Sequence, residues 1–195
     1  KLDSVRKAGS VVSSNTSTIP LARLLEGQSE AFAQDFLITH FFNPPRYMRL
    51  LEIVGGATTR LDALAAVQAF CDVRLGKSVV ICKDRPGFIA NRIGMYWIQI
   101  ALNEALQRGL SVEEVDAVMG RPLGFPKTGI FGLMDLVGLD LMPYLAGSLK
   151  ANLPPADPFC QAYVLPPVVA EMIANGYTGR KGKGLFMPLR RALTG

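Results

Sequence analysis

Histidine is nearly absent: the 195 residues hold one, His40. A chain with a single imidazole cannot build a histidine-rich metal centre, and proton transfer near neutral pH falls to that ring or to a perturbed neighbour. Cysteine is scarce too. Cys71, Cys82 and Cys160 are odd in number, isolated and without C-x-x-C spacing. They spell neither a disulfide framework nor a zinc site, so no metal and a reducing cytoplasm are expected. No apolar run is suited to a membrane span. The most apolar window, residues 129–147, carries Asp135, Asp140 and Pro143. Each Asp at a bilayer centre would cost roughly 2.5–3.5 kcal/mol, so a buried helical hairpin is expected instead. No aromatic residues interleave with the late basic group Arg180, Lys181, Lys183, Arg190 and Arg191, which reads as a solvated tail and not a nucleic-acid surface.

What remains is an ordinary globular composition, 49% apolar and 19% charged, with a mild net charge of +5. That length allows one large domain or two small ones, and the charge would suit a phosphate-rich ligand. No signal peptide opens the chain, and no initiator Met either. Residues 1–7 read as the last turns of a helix already under way, so the chain is expected to begin inside a domain.

Up to residue 83 helical and strand patterns alternate. After Gly9, a C-cap candidate, Val11-Val12-Ser13-Ser14 reads as a strand ending in Asn15-Thr16-Ser17-Thr18. A short helix over 20–25 follows, then strands around His40 and Glu52. Residues 58–75 read as an amphipathic helix with Leu61, Leu64, Ala65, Val67, Ala69 and Phe70 toward a core, closed by Gly76, and 78–82 as a strand. The alternation predicts an α/β sheet with crossover helices, whose ligands sit beyond the carboxyl ends of strands, where Ser17 and His40 fall. From Asp84 onward the pattern is helical. Asp84 is the N-cap candidate for a helix running to Arg108, with Ile89, Ile93, Tyr96, Trp97 and Ile100 in one stripe and Asn91 near its start. Ser111-Val112-Glu113-Glu114 is a capping box. Gly124-Phe125-Pro126 forms a turn, two apolar helices flank Gly138, and a last helix runs through Asn175. Two domains are expected, 1–83 and 84–195.

The densest chemistry lies in Thr39-His40-Phe41-Phe42-Asn43-Pro44-Pro45 and the following Met48–Val54 run. His40 ends an apolar strand, Asn43-Pro44-Pro45 breaks it, and Glu52 sits inside the next one. If the two strands are neighbours, carboxylate and imidazole can lie side by side at one sheet edge, which prepares a general base. The residues alone leave a second reading open: His40 a satisfied core histidine, Glu52 a surface charge. Ser17 could likewise cap the helix at Pro20, and Asn91 could be a buried structural amide.

Taken with their order and spacing, several stretches resemble the 3-hydroxyacyl-CoA dehydrogenase family. They are Ser14-Asn15-Thr16-Ser17, His40-Phe41-Phe42-Asn43-Pro44, Glu52, and Lys83-Asp84-Arg85-Pro86-Gly87-Phe88-Ile89-Ala90-Asn91-Arg92. Further on come Gly124-Phe125-Pro126, Asp135-Leu136-Val137-Gly138-Leu139-Asp140 and Gly179-Arg180-Lys181-Gly182-Lys183-Gly184. The resemblance implies an α/β part followed by an all-α part. These would be the second half of a Rossmann-type NAD-binding domain and a C-terminal helical domain like that of 6-phosphogluconate dehydrogenase, through which the family usually dimerises. It implies NAD-dependent oxidation of L-3-hydroxyacyl-CoA to 3-ketoacyl-CoA in fatty-acid β-oxidation. In that scheme His40 matches the catalytic base and Glu52 its partner. Ser17 and Asn91 match the polar pair that holds the substrate and assists catalysis, and Asn15, Ser17 and Asn43 lie beside the cofactor.

The sequence also departs from the family. No G-x-G-x-x-G follows a strand, so the glycine-rich phosphate turn and the acidic ribose-binding residue of the dinucleotide fold are not found, and an N-terminally truncated chain is expected. Gly184-Leu185-Phe186 stands where Gly-Phe-Tyr would be expected, and residues 187–191 read as a foreign tail. Alternatives are a non-catalytic dimerising fragment and a segment of a multifunctional hydratase/dehydrogenase. A β-hydroxyacid dehydrogenase of small acids ranks lower, because that group places a lysine at its active centre.

Overall fold

Residues 36–41, Phe-Leu-Ile-Thr-His-Phe, are mostly aromatic or β-branched, a composition that suits a pleated strand covered on both sides, and the first half of the chain is built around them. The structure is a computed structural model and describes residues 1–125 and 127–184; Pro126 and the tail readings at 185–191 lie outside it. Two units are distinguished, Lys1–Asn91 and Arg92–Gly195.

In the first unit, helix α1 (Leu2–Val5) precedes strand β1 (Val12–Ser14), helices α2 (Leu21–Leu24) and α3 (Glu30–Gln34), and strands β2 (Phe36–Phe41) and β3 (Leu50–Gly55). Helix α4 (Leu61–Ala69), continued by a wider π turn at Phe70–Arg74, leads to β4 (Ser78–Cys82). The four strands lie in the order β1-β2-β3-β4. The outer pairs are parallel and joined through helices, as crossovers require, whereas β2 and β3 run antiparallel through the 42–49 loop. Period-2 alternation sorts the side chains. Phe36, Ile38, Val54 and Cys82 pack with Leu21, Phe32 and Phe88 on one face, and Leu37, Leu51, Ile53 and Cys71 with Leu64 and Val67 on the other.

Three local expectations change. The core face of α4 is Ala63, Leu64 and Val67, while Leu61, Ala65, Ala69 and Phe70 are exposed, because the apolar residues of 58–75 spread over more than one helical stripe. Helix α1 ends at Val5, so Gly9, at φ 74, turns the chain after it and caps nothing. Asp84 does not cap the long helix; its carboxylate accepts the N–H groups of Leu21 and Ala22 at 3.0 and 3.3 Å. Pro20, at the N-cap of α2, offers no side-chain acceptor for those orphan donors, and Asp84 supplies one from a distant stretch.

The second unit is helical. The long helix α5 (Ala90–Arg108) starts at the end of the first unit and runs on into this one, followed by α6 (Val112–Val118), α7 (Phe131–Val137), α8 (Leu141–Asn152), α9 (Pro158–Ala162) and α10 (Pro167–Ala174). Its core gathers Leu102, Ala105, Val112, Phe131, Met134, Leu149 and Phe159. The capping box at Ser111 and Glu114 forms. The start of α7 is capped from α6, where the Asp116 carboxylate accepts the N–H of Phe131 at 2.7 Å and of Gly132 at 3.0 Å. Among the described residues no helix is long and apolar enough to cross a membrane.

Candidate active site

The antiparallel register sets His40 directly opposite Glu52. Both lie on the two inner strands of the sheet, near the carboxyl end of β2, on the face covered by α2, α3 and Phe88. His40 Nδ1 stands 2.8 Å from Glu52 Oε2, and both side chains are buried, Glu52 to 1% exposure. The other carboxylate oxygen is also taken. Glu52 Oε1 accepts the N–H of Ile89 at 3.0 Å and of Ala90 at 2.8 Å, so Glu52 caps the start of α5. Burial pushes the Glu52 carboxyl up; the hydrogen bond with His40 and the two backbone donors outweigh it and hold the group below the ordinary glutamate value.

An ionised Glu52 is an acceptor only, so Nδ1 of a neutral His40 carries the proton and Nε2 keeps a free lone pair. Among the described residues Nε2 makes no hydrogen bond and no sealed side-chain nitrogen or oxygen lacks a partner; Nε2 is therefore not sealed off from solvent by them. The rings of Phe42 and Phe88 flank the imidazole, with centroids 4.5 and 5.7 Å away. Gly87 and Phe88 both have left-handed backbones, φ 70 and 47. This is costly for a bulky residue, and it turns the chain so that the Phe88 ring meets His40 while the next two N–H groups meet Glu52.

The other expected site residues fall around this pair. Ser14, the last residue of β1, pairs with Ile38, so Asn15, Thr16 and Ser17 leave the sheet at the end where His40 lies. Asn15 Oδ1 accepts the Phe41 N–H at 2.8 Å, extending the β1–β2 pairing through a side chain. Ser17 is half-buried and its hydroxyl has no hydrogen bond among the described residues; Asp84 caps the α2 helix in its place. Asn91 is half-buried in the first turn of α5, one residue past the Ala90 N–H that Glu52 holds. Asn43 is exposed in the 42–49 loop. His40 and Glu52 are joined directly, while Ser17, Asn43 and Asn91 make no hydrogen bond to either. Sequence reasoning did not find the N–H groups of Ile89 and Ala90 or the flanking rings; the only signal was Pro86-Gly87, a turn pair just before the helix.

A buried imidazole–carboxylate pair near the carboxyl end of β2, one ring nitrogen held and the other open, is chemically able to serve as a general base on an α/β sheet. Comparison with known proteins narrows this. The family model for the 3-hydroxyacyl-CoA dehydrogenase NAD binding domain matches residues 1–85, and that for the 3-hydroxyacyl-CoA dehydrogenase C-terminal domain matches residues 87–187. The chain belongs to the 3-hydroxyacyl-CoA dehydrogenase family. It is 43% identical over 183 residues to a Rickettsia felis protein named "Putative fatty acid oxidation complex trifunctional enzyme", covering 94% of this chain and 25% of that protein. Against the "Probable 3-hydroxyacyl-CoA dehydrogenase" of Bacillus subtilis it is 41% identical, covering 95% and 23%. The crystal structure of Mycobacterium tuberculosis FadB2 superposes with a TM-score of 0.80 at 31% identity, covering 93% of this chain and 61% of that one. The chain thus spans about a quarter of the length of the first two relatives.

Proposed function

We propose that this chain carries the proton-transfer centre of an NAD-dependent L-3-hydroxyacyl-CoA dehydrogenase of fatty-acid β-oxidation. The observation that carries the reading is the His40–Glu52 hydrogen bond, with Nε2 open at the carboxyl end of β2. Oxidation of a secondary alcohol removes a proton from oxygen and a hydride from carbon. NAD, when bound, accepts the hydride. His40 Nε2 takes the hydroxyl proton, and Glu52 keeps the accepting tautomer in place and stabilises the imidazolium that forms. Ser17 and Asn91, neither titrating near neutrality, hold the substrate's oxygens in reacting geometry.

The residues fit the nicotinamide end of the cofactor. Asn15, Ser17 and Asn43 supply neutral hydrogen-bonding groups at the ends of β1 and β2, and the Ser17 hydroxyl has no hydrogen-bond partner among the described residues. For the diphosphate they offer no glycine-rich turn, so no residue here is assigned to it. In this reading residues 1–83 serve the NAD-binding domain and 84–195 the helical domain. The helical unit exposes Ile93, Tyr96, Ile100, Leu136, Leu141 and Tyr144, apolar surface that supports a homodimer through this domain. Cys71, Cys82 and Cys160 are free thiols, as suits a reducing cytoplasm. The Rickettsia relative's name favours a segment of a multifunctional hydratase/dehydrogenase as the setting, with the same chemistry at His40.

The deciding experiment is His40→Gln in the NAD-dependent oxidation of L-3-hydroxybutyryl-CoA, measured on this chain joined to a segment that supplies the glycine-rich dinucleotide turn, with circular dichroism to establish folding. The variant is expected to lose at least ~10²-fold in kcat, the low end for a positioned general base. Near-normal turnover by folded His40→Gln protein would remove the mechanism.

A further inference from the structure

Lys77 is a buried cation with no carboxylate at ion-pair distance among the described residues. An ammonium withdrawn from water is costly unless its donors are satisfied, and here one loop satisfies them. Lys77 Nζ donates to the carbonyl oxygen of Pro45 and, at 2.8 Å, to that of Met48, and it stands 5.7 Å from the centroid of the Phe41 ring. The backbone around it is fixed: the Lys77 N–H donates to Cys71 O at 3.0 Å, and the next N–H, of Ser78, to Arg49 O at 2.8 Å. The 42–49 loop, by contrast, is exposed from Asn43 through Arg49. Its first residue, Phe42, packs its ring against His40 at a tilt of 56°, and its second, Asn43, is exposed.

We infer that Lys77 is a positioning residue. It ties the β2–β3 loop to the sheet through two carbonyl groups, and through that tether it holds Phe42 against the imidazole and Asn43 at the end of β2. An apolar residue of the same length would fill the space but leave the loop free to swing. The charge is kept because it clamps two carbonyls at once, which no neutral side chain of that reach can do.

The kinetic part of this inference rests on the proposed dehydrogenase; the tether does not, so the test has two arms. Lys77→Met keeps the stem and removes the donors, and Lys77→Arg restores donors. In the first arm trypsin is added to the folded protein and cleavage after Arg46 and Arg49 is followed by mass spectrometry, with cleavage after Arg23 as the internal reference. Lys77→Met should speed the loop cuts by about tenfold relative to the reference, because a tethered segment must open before it is cleaved. Lys77→Arg should recover much of the protection. In the second arm, NAD-dependent oxidation of L-3-hydroxybutyryl-CoA, Lys77→Met should lower kcat by about 10- to 100-fold while KM for the acyl-CoA moves little, the mark of a misplaced catalytic group. Unchanged loop cleavage, or cleavage accelerated equally at all sites, would overturn the tether. Loosened loop cleavage with wild-type kcat would overturn the positioning role. No turnover by the wild-type chain even when it is joined to a segment that supplies a glycine-rich dinucleotide turn and binds NAD, with the loop still loosened by Lys77→Met, would refute the dehydrogenase reading and leave the tether standing.

Discussion

Replacing Glu52 by Gln tests the site at its most constrained point. The carboxylate accepts three hydrogen bonds, one from His40 Nδ1 and two from the backbone of Ile89 and Ala90. A glutamine has one acceptor oxygen and one donor NH2, so it can satisfy only one side. If its oxygen faces Ile89 and Ala90, its NH2 faces Nδ1. His40 must then move its proton to Nε2, the nitrogen that should receive the substrate's proton. If the amide is turned over, its NH2 opposes two N–H donors and the start of α5 is unsatisfied. In the proposed mechanism the first outcome removes a general base worth ~10²–10⁴-fold, which corresponds to about 2.7–5.4 kcal/mol of barrier; the second keeps the accepting tautomer but takes away the charge that stabilises the imidazolium. The buried donors left without a charged acceptor should lower stability by about 1–3 kcal/mol. The pH dependence has a definite sign. Glu52 is held below the ordinary glutamate value in the folded protein. Its contribution to stability is therefore present above the unfolded pKa and lost as pH falls through the folded one, and Glu52→Gln should lose that acid-side dependence. Steady-state formation of NADH and urea unfolding at several pH values measure both effects. Wild-type kcat in a folded Glu52→Gln protein would refute the tautomer argument.

Asp84→Ala should lower stability by about 1 kcal/mol, the usual cost of a lost N-cap, because α2 has no other side-chain acceptor for its first N–H groups; an unchanged urea midpoint would show that water replaces the carboxylate at no cost. Light scattering at micromolar concentration should give the mass of a dimer, since the helical unit leaves Ile93, Tyr96, Leu136 and Tyr144 exposed. A monomer that stays soluble would count against that surface as an interface.

How far the sequence could be read depended on whether the cause of a feature was local. Strand β4 is legible as Ser78–Cys82 because Gly76 stops the preceding helix and a β-branched run follows. The capping box at Ser111 lies wholly within four residues, and it forms as written. The helix at Glu30–Gln34 was not legible: five residues, Glu-Ala-Phe-Ala-Gln, have too short a period to stand out. The Ser29 hydroxyl that caps it is one serine among many. Asp84 departs from its local pattern for a related reason. An aspartate just before Pro-Gly and a long apolar helix is the local pattern of an N-cap, but the left-handed turn at Gly87-Phe88 separates it from α5 and its carboxylate meets α2 instead.

The site joins both kinds of cause. Strand pairing alone brings His40 and Glu52 together, and pairing follows from two adjacent apolar runs with a proline-rich break between them, which a reader can see. That Glu52 also caps α5 depends on a strained turn 35 residues further along the chain, which a reader cannot. The consequence is physical coupling: the same carboxylate that sets the tautomer of His40 fixes where α5 begins, and Asn91 is in its first turn. A shift of the helix start would therefore move Asn91 and loosen Glu52 together. In the proposed mechanism the base and the substrate-holding amide are tied through one side chain, so substitutions at Glu52 and Asn91 should not be additive in kcat, as expected for groups that share a partner.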